Sequence, residues 1–529
     1  MKRHELLIHT FFLLVLCIIV FLPLYRQTKL APEGTYFPLV HGRFSDYYSY
    51  ISYIRQGAIQ LEQTNQYSTE DTTPKWTHFF YLLLGKIGSL FNISPFVMYH
   101  LGILVSLLIF YFYTYSLVKL VLPGIYRLIG LFIIFFAGPL PIISSSAVWW
   151  TKMDQYNRNS LVPHHYISSA LLVASTYYLF RFTNEKKLKY AIFCVLANTV
   201  GIFFFIIPGF IFTLALLLMT SFMVISSSFR KNYIFLKSTL SGLTFVLVAS
   251  FVAQWLVLQI FSISRPFWYD PLVWEYETHK SEIFPTIFSV YVLSYGILFL
   301  FIPFSAVSLK KIKRLQYLFI ILVTILPLFL YQASVTGLVE INKLRFVYSA
   351  PYVFGGLLAT LGIKNIRTSL KASKLTNFFA IGIGGIILVN SIMGFRIYWW
   401  PHLFNTKAYK NIYISTNYLS ATNYLNSHAP KFAGVMTNWG SGSFIPAFSF
   451  VKVFIGHEFD TNNFWQKWDT ADKFYKGVMT KDEALTLLKN HNIAFVLWDY
   501  GSPVENYKDF LTEVYAVPGL TLYKVKKES

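Results

Sequence analysis

A succession of apolar segments, each about as long as a bilayer is thick, constrains this chain more than any other feature. A helix needs about 20 predominantly apolar residues to cross the hydrocarbon core. Such runs lie at Leu7–Leu24, Phe96–Leu117, Ile125–Ser144 and Tyr166–Phe182. The stretch Tyr190–Ser226 is too long for one crossing, and Pro208-Gly209 near its middle predicts a hairpin of two helices. Runs at Ser238–Phe261, Pro285–Leu309, Leu315–Gln332, Tyr348–Ile363 and Phe378–Arg396 bring the expectation to about 11 transmembrane helices. Composition agrees: 55% of the 529 residues are hydrophobic and only 13% charged, against about a quarter charged in soluble domains. The fold class expected is an α-helical polytopic membrane protein.

The formal net charge of +21 would suit a nucleic-acid partner, but its distribution excludes that class. Basic residues fall in short clusters between apolar runs: Lys119 and Arg127; Arg181, Lys186, Lys187 and Lys189; Arg230, Lys231 and Lys237; Lys310, Lys311, Lys313 and Arg314; Lys364, Arg367, Lys371 and Lys374. All fall on one side of the membrane if the spans are counted as above, which is the positive-inside pattern and predicts the N-terminus inside and the C-terminus outside. The start, MKRHELLIHTFFLLVLCIIVFLPLYRQ, is read as a retained first helix with Lys2 and Arg3 in the cytoplasm, because no small-residue cleavage site follows it. Cys17 and Cys194 both sit in apolar runs and read as packed thiols.

The loops on the outer side are longer and chemically richer. In the first, residues 25–95, WTHFFYLLLGKIGSLF predicts a helix lying in the interface. Upstream, SDYYSYISYIRQGAIQLEQ repeats Tyr47, Tyr50, Ile51, Ile54, Ala58 and Leu61 at helical spacing, an amphipathic helix with Gly57 inside it. From about Asn411 the composition turns soluble: FAGVMTNW, VKVFIG and IAFVLWD read as buried strands, and Thr480–Asn490 as a helix opened by the capping box Thr480–Glu483. The domain expectation is a membrane domain over 1–398 and a small extracytoplasmic α/β domain over 399–529.

No predicted span holds an ionisable side chain near its centre, which argues against proton or ion coupling. The informative charges sit in the outer loops. Asp46 opens the first-loop helix, either as a simple cap or as a general base for an acceptor hydroxyl. Asp154 lies in WWTKMDQYNRNSLVPHH beside Arg158, His164 and His165; neighbouring histidines point apart in regular structure and make a poor metal pair. In EINKLRF, Lys343 and Arg345 stand at the outer edge against the usual charge bias, and a guanidinium grips phosphate bidentately.

With these residues in place, the chain resembles the GT-C superfamily of membrane glycosyltransferases over nearly its whole length: an acid in a large first outer loop, a second in the next, a late outer arginine, an interfacial helix before the second span and an outer α/β domain. FSDYYSYISYIRQG resembles the first-loop segment of oligosaccharyltransferase catalytic subunits. The resemblance implies a polyprenyl-phosphate-linked sugar as donor and Asp46 as the catalytic residue. It also implies a divalent metal ion (Mg or Mn) held by Asp46 and Asp154, although Asp154 stands without the usual acidic neighbour. Trp498–Gly501 spells WDYG, like the end of that family's acceptor-reading WWDYG, but the equivalent position is TNWGSG at 437–442, which keeps only Trp439 and Gly440. Transfer of an oligosaccharide to asparagine is therefore not expected; a simpler sugar is.

The function expected is transfer of a sugar from a polyprenyl-phosphate donor to an acceptor at the extracytoplasmic face. Asp46 serves as base, and Arg345, Lys343, Arg158, Tyr50 and His164 bind substrate. The partners are the lipid-linked donor and membrane lipids, and the location is the cell membrane. The geometric expectation is that Asp46, Asp154 and Arg345 line one cavity open to water and lipid. The alternatives are a glycolipid or polymer flippase and a non-catalytic scaffold of a cell-envelope complex.

Overall fold

A computed structural model describes residues 3–40, 44–70, 76, 78–138, 158, 162–226, 233–263, 276–277, 295–310, 314–346, 349–369, 374–394, 412–499 and 507–526. They are mostly helical, with a mixed β-sheet near the C-terminus. Among the described residues, five helices are long and apolar enough to cross a membrane: Glu5–Lys29, Pro95–Val121, Ile206–Ile225, Thr239–Ile260 and Leu315–Val335. Shorter apolar helices run over Phe79–Leu90, Tyr126–Phe136, Leu188–Phe204 and Gly382–Met393. These long apolar helices are consistent with an integral membrane protein, and Phe245, Val248, Phe251, Val252 and Trp255 stand exposed on one of them.

The chain forms two compact units. The first comprises Met1–Pro23, Gly102–Gln259 and Leu272–Phe404. Helix α1 (Arg3–Lys29) begins in it, and α4 (Pro95–Val121) ends in it, followed by α5 (Tyr126–Phe136). Helices α6 (Pro163–Glu185) and α7 (Leu188–Phe204) form a hairpin closed by Lys186 in the left-handed conformation. Then come α8 (Ile206–Ile225), α9 (Tyr233–Ile263), α10 (Arg314–Val335), α11 (Ser349–Ser369) and α12 (Lys374–Gly394). The break between α7 and α8 falls at the extended residue Phe205. Pro208 and Gly209, expected at the break, lie instead in the first turn of α8, where a proline's missing N–H has no partner to lose. Within the expected span Pro285–Leu309, residues 285–294 lie outside the described ones, and the remainder forms 3-10 turns at Gly296–Leu300 and Pro303–Lys310. Tyr295, Leu298, Tyr331, Tyr352 and Ala359 meet in the core there.

The second unit comprises Leu24–Leu101, Ile260–Pro271 and Asn405–Ser529. It holds α2 (Phe44–Gly57), α3 (Phe79–Leu90) and a two-stranded pair, β1 (Thr35–Tyr36) with β2 (Ile414–Ser415). A five-stranded sheet follows, built from β3 (Gly434–Met436), β4 (Lys452–Val453), β5 (Ile493–Trp498), β6 (Leu511–Val517) and β7 (Leu520–Val525) in the order β4-β3-β5-β7-β6. Strands β4, β3 and β5 run parallel, while β5, β7 and β6 pair antiparallel. Central strand β5 is apolar at every position because both faces are covered. Phe495 and Leu497 pack with α13 (Thr416–His428), whereas Val496 and Trp498 pack with α16 (Phe464–Tyr475) and α17 (Lys481–Asn490). The short turns α14 (Trp439–Gly442) and α15 (Ile445–Phe448) lie between β3 and β4. The three strands read from the sequence form, and the capping box closes as expected: Thr480 N–H donates to Glu483 Oε2 at 2.8 Å and Glu483 N–H to Thr480 Oγ1 at 3.3 Å.

Candidate active site

Helix α2 begins at Phe44, so Asp46 lies inside its first turn, where a carboxylate faces the positive end of the helix dipole. The helix stops at Gly57; the amphipathic pattern had carried it on past Ala58. It is also buried nearly all round, with Ser49, Ser52 and Gln56 enclosed alongside Tyr47, Ile51 and Ile54. Its apolar side meets α3 with almost no space between backbones. A Cβ built on Gly57 would lie 2.1 Å from the Leu82 carbonyl oxygen, and one on Gly85 1.9 Å from that of Ile54. Tyr50 stacks on Tyr81 at 4.5 Å, and Tyr53 on His78 at 4.7 Å.

The polar side of α2 faces the loop that follows β4. Gly442 lets that loop lie against the turn after β3, since a Cβ there would come within 1.8 Å of the Ile455 carbonyl oxygen. Thr461 closes the loop, its N–H donating to the His457 carbonyl at 2.8 Å and its hydroxyl to the Tyr67 carbonyl at 2.8 Å. His457 is thereby buried with Nε2 3.0 Å from Asp46 Oδ1. The backbone N–H groups of Phe459 and Asp460 both point at His457 Nδ1, at 3.2 Å. They oppose a proton on that nitrogen, so in the neutral ring Nε2 carries it and donates to Asp46. Asp460 Oδ2 accepts from Ser49 Oγ and Tyr53 Oη, each at 2.7 Å, and its carbonyl from Asn65 Nδ2 at 2.7 Å. Asp46, Ser49 and Tyr53 occupy one face of the helix, and all three bind this loop.

Burial alone would lower the His457 pKa. The Asp460 carboxylate and then the hydrogen bond to Asp46 outweigh it, and the pKa stands above the ordinary imidazole value. Burial, reinforced by Asp460, pushes the Tyr53 phenol far up, so it remains a neutral donor. Nearby, the buried Lys467 ammonium lies 2.5 Å from Glu70 and also donates to Ser68 at 2.8 Å. Sequence reasoning missed His457 and Asp460. The legible signal was GHEFD, a histidine with an acid three residues on, immediately after a strand.

Of the other expected site residues, Asp154 lies outside the described ones. Arg158 is fully buried in the first unit, its Nη2 donating to the Ala137 carbonyl at 2.7 Å and its guanidinium 3.8 Å over the Tyr352 ring. His164 is buried in the first turn of α6. Its ring lies 4.1 Å from that of His165, and both rest on Phe205, so the two do not point apart as expected. Packing on one shared aromatic ring overrides the divergence of adjacent positions. Lys343 and Arg345 share the 3-10 turn Lys343–Phe346, Lys343 buried and Arg345 partly so. Asn342 caps that turn, its Oδ1 accepting from Leu344 N–H at 3.0 Å. Trp498 of the WDYG run is a core residue, and Asp499 accepts from Asn438 Nδ2 at 2.7 Å and Tyr418 Oη at 2.7 Å.

Among the described residues no group of three or more His, Cys, Asp or Glu side chains is arranged to hold a metal ion. Asp154, the second ligand that the resemblance implies, lies outside the described residues.

The sequence matches no protein-family model and no curated protein. Solved structures do share the fold. The oligosaccharyltransferase AglB from Archaeoglobus fulgidus, in complex with an inhibitory peptide and a dolichol-phosphate, aligns with a TM-score of 0.55 at 14% identity, over 94% of this chain and 69% of its own. ArnT from Cupriavidus metallidurans, bound to undecaprenyl phosphate, aligns at 0.54 and 10% identity over 99% of this chain and 98% of its own. All are GT-C membrane glycosyltransferases, as is the mycobacterial arabinofuranosyltransferase AftD, at 0.51 and 12% identity over 98% of this chain and 40% of its own. The fold is GT-C-like. At these identities the likeness extends to the GT-C architecture and not to the reaction.

Proposed function

We propose that this protein is a glycosyltransferase that moves a sugar from a polyprenyl-phosphate-linked donor to an acceptor hydroxyl on the extracytoplasmic side of the membrane. The observation that carries the reading is the Asp46 carboxylate, fixed at the start of α2 by a buried histidine in a GT-C-like fold. Two structural neighbours bound to polyprenyl phosphates support the class of donor.

In the reaction, Asp46 accepts the proton of the acceptor hydroxyl as its oxygen bonds to the anomeric carbon. The bond from that carbon to the phosphate oxygen breaks, and polyprenyl phosphate departs with the electron pair. The leaving group is a phosphate monoester and needs no proton to leave. Arg345 and Lys343 bind the donor phosphate through charge-assisted hydrogen bonds, worth roughly 1.5–3 kcal/mol each. Tyr50 and His164 are assigned to substrate binding on the same reading, whereas Arg158, fully buried against Tyr352, supports the fold around it. The test is Asp46→Asn in purified, folded protein: transfer from a panel of undecaprenyl-phosphate hexoses and pentoses should fall at least about a hundredfold, the lower range for loss of a general base. Unchanged transfer would remove the assignment.

A further inference from the structure

We propose that His457 is a positioning residue for Asp46: its Nε2–H orients the carboxylate for proton transfer, and the loop that carries it is fastened to α2 to hold that bond. This role rests on reading Asp46 as the base. The donor is set by the backbone, because two N–H groups occupy Nδ1 and leave Nε2 to carry the proton. Its aim is set by burial and by ties to the helix that bears Asp46. Ser49 and Tyr53, three and seven residues beyond Asp46, both hold Asp460, itself three residues beyond His457. Asn65 holds the Asp460 carbonyl from a third direction, and Tyr67 lies edge-on to the imidazole ring at 5.9 Å. Asp46 itself is 31% exposed while His457 is 7% exposed, so the acid reaches the surface and its orienting donor does not. A carboxylate on a first helical turn has rotamers to choose among; a rigid N–H donor on one oxygen selects one, and such supporting partners typically matter 10–100-fold.

Two amide substitutions separate positioning of the acid from mere support of the loop. In His457→Gln the amide nitrogen reaches the place of Nε2 and can still donate to Asp46. In His457→Asn the side chain ends at the place of Nδ1, so its oxygen can still accept the backbone N–H groups but nothing reaches Asp46. On the undecaprenyl-phosphate monosaccharide that wild type turns over fastest, His457→Gln should keep kcat within about threefold. His457→Asn should lose kcat about 10–100-fold, with KM for donor and acceptor nearly unchanged. Thermal unfolding normalises for the folded fraction. Equal activity of the two variants, or greater activity of His457→Asn, would overturn the role and assign His457 to loop support. Full activity of Asp46→Asn, or a wild type inert on the whole panel, would instead overturn the functional reading, and this role with it.

Discussion

The close approach of α2 and α3 gives the sharpest stability prediction, because Asp46 stands on one of these helices. Gly85→Ala puts a methyl group 1.9 Å from the Ile54 carbonyl oxygen, where real Cβ contacts essentially never fall below 3.0 Å. The obstacle is backbone, so no side chain can swing aside. The helices must part by about 1 Å, and a close-packed interior transmits such a shift. Overpacking of this kind costs about 1–3 kcal/mol, against about 0.5–1 kcal/mol gained by replacing glycine inside a helix. The net expectation is a loss of up to about 2.5 kcal/mol. Gly385→Ala in α12 is the matched control, since a Cβ there meets nothing within 4 Å and only the helical gain remains. Unfolding of both variants in detergent at one scan rate, followed by tryptophan fluorescence, should place Gly85→Ala below wild type and Gly385→Ala at or above it. A Gly85→Ala protein stabilised as much as Gly385→Ala would refute the backbone contact.

Three further outcomes follow. Burial pushes the Glu70 carboxyl up, but the Lys467 ammonium and the Ser68 hydroxyl pull it down further, to a net value below the ordinary one. The pair therefore stabilises the fold above the usual glutamate pKa of about 4.3 and loses that contribution as pH falls through the lowered folded value. Lys467→Met should flatten the acid limb of a stability–pH curve and cost about 1–3 kcal/mol at neutral pH, less than a fully buried pair because Glu70 keeps some water. Thr480→Ala removes the capping box and should cost about 1 kcal/mol in a denaturant titration. Arg345→Gln should lower kcat as well as kcat/KM for the lipid-linked donor, because the phosphate it binds gains charge as the sugar leaves.

What the sequence disclosed and what it hid divide along sequence separation. Apolar runs and the Thr480–Glu483 capping box are local signals, and α1, α4, α9, α10 and α17 appeared where they pointed. Strand β5 was legible because burial on both faces leaves an unbroken apolar run. The β6–β7 hairpin was overlooked although LTEVYAV and LTLYKV flank Pro518-Gly519, because short half-exposed strands alternate weakly. The burial of α2 on its polar side could not be read locally. Ser49 and Tyr53 fall outside the apolar repeat, and the partner that binds them, Asp460, lies 411 residues from Ser49. The same distance separates Asp46 from His457, so a lone acid at a helix start read equally well as a cap or a base.

The central claim is that the chain consumes a lipid-linked sugar with the help of Asp46. It is tested most directly by counting free undecaprenyl phosphate released from radiolabelled undecaprenyl-phosphate monosaccharides in proteoliposomes, with an acceptor mixture supplied on the side of residues 412–526. The account predicts release by wild type in step with sugar appearing on the acceptor, and at least about a hundredfold less by Asp46→Asn at equal folded protein. Labelled lipid that crosses the bilayer intact, with no release and no dependence on Asp46, would contradict it and favour a flippase.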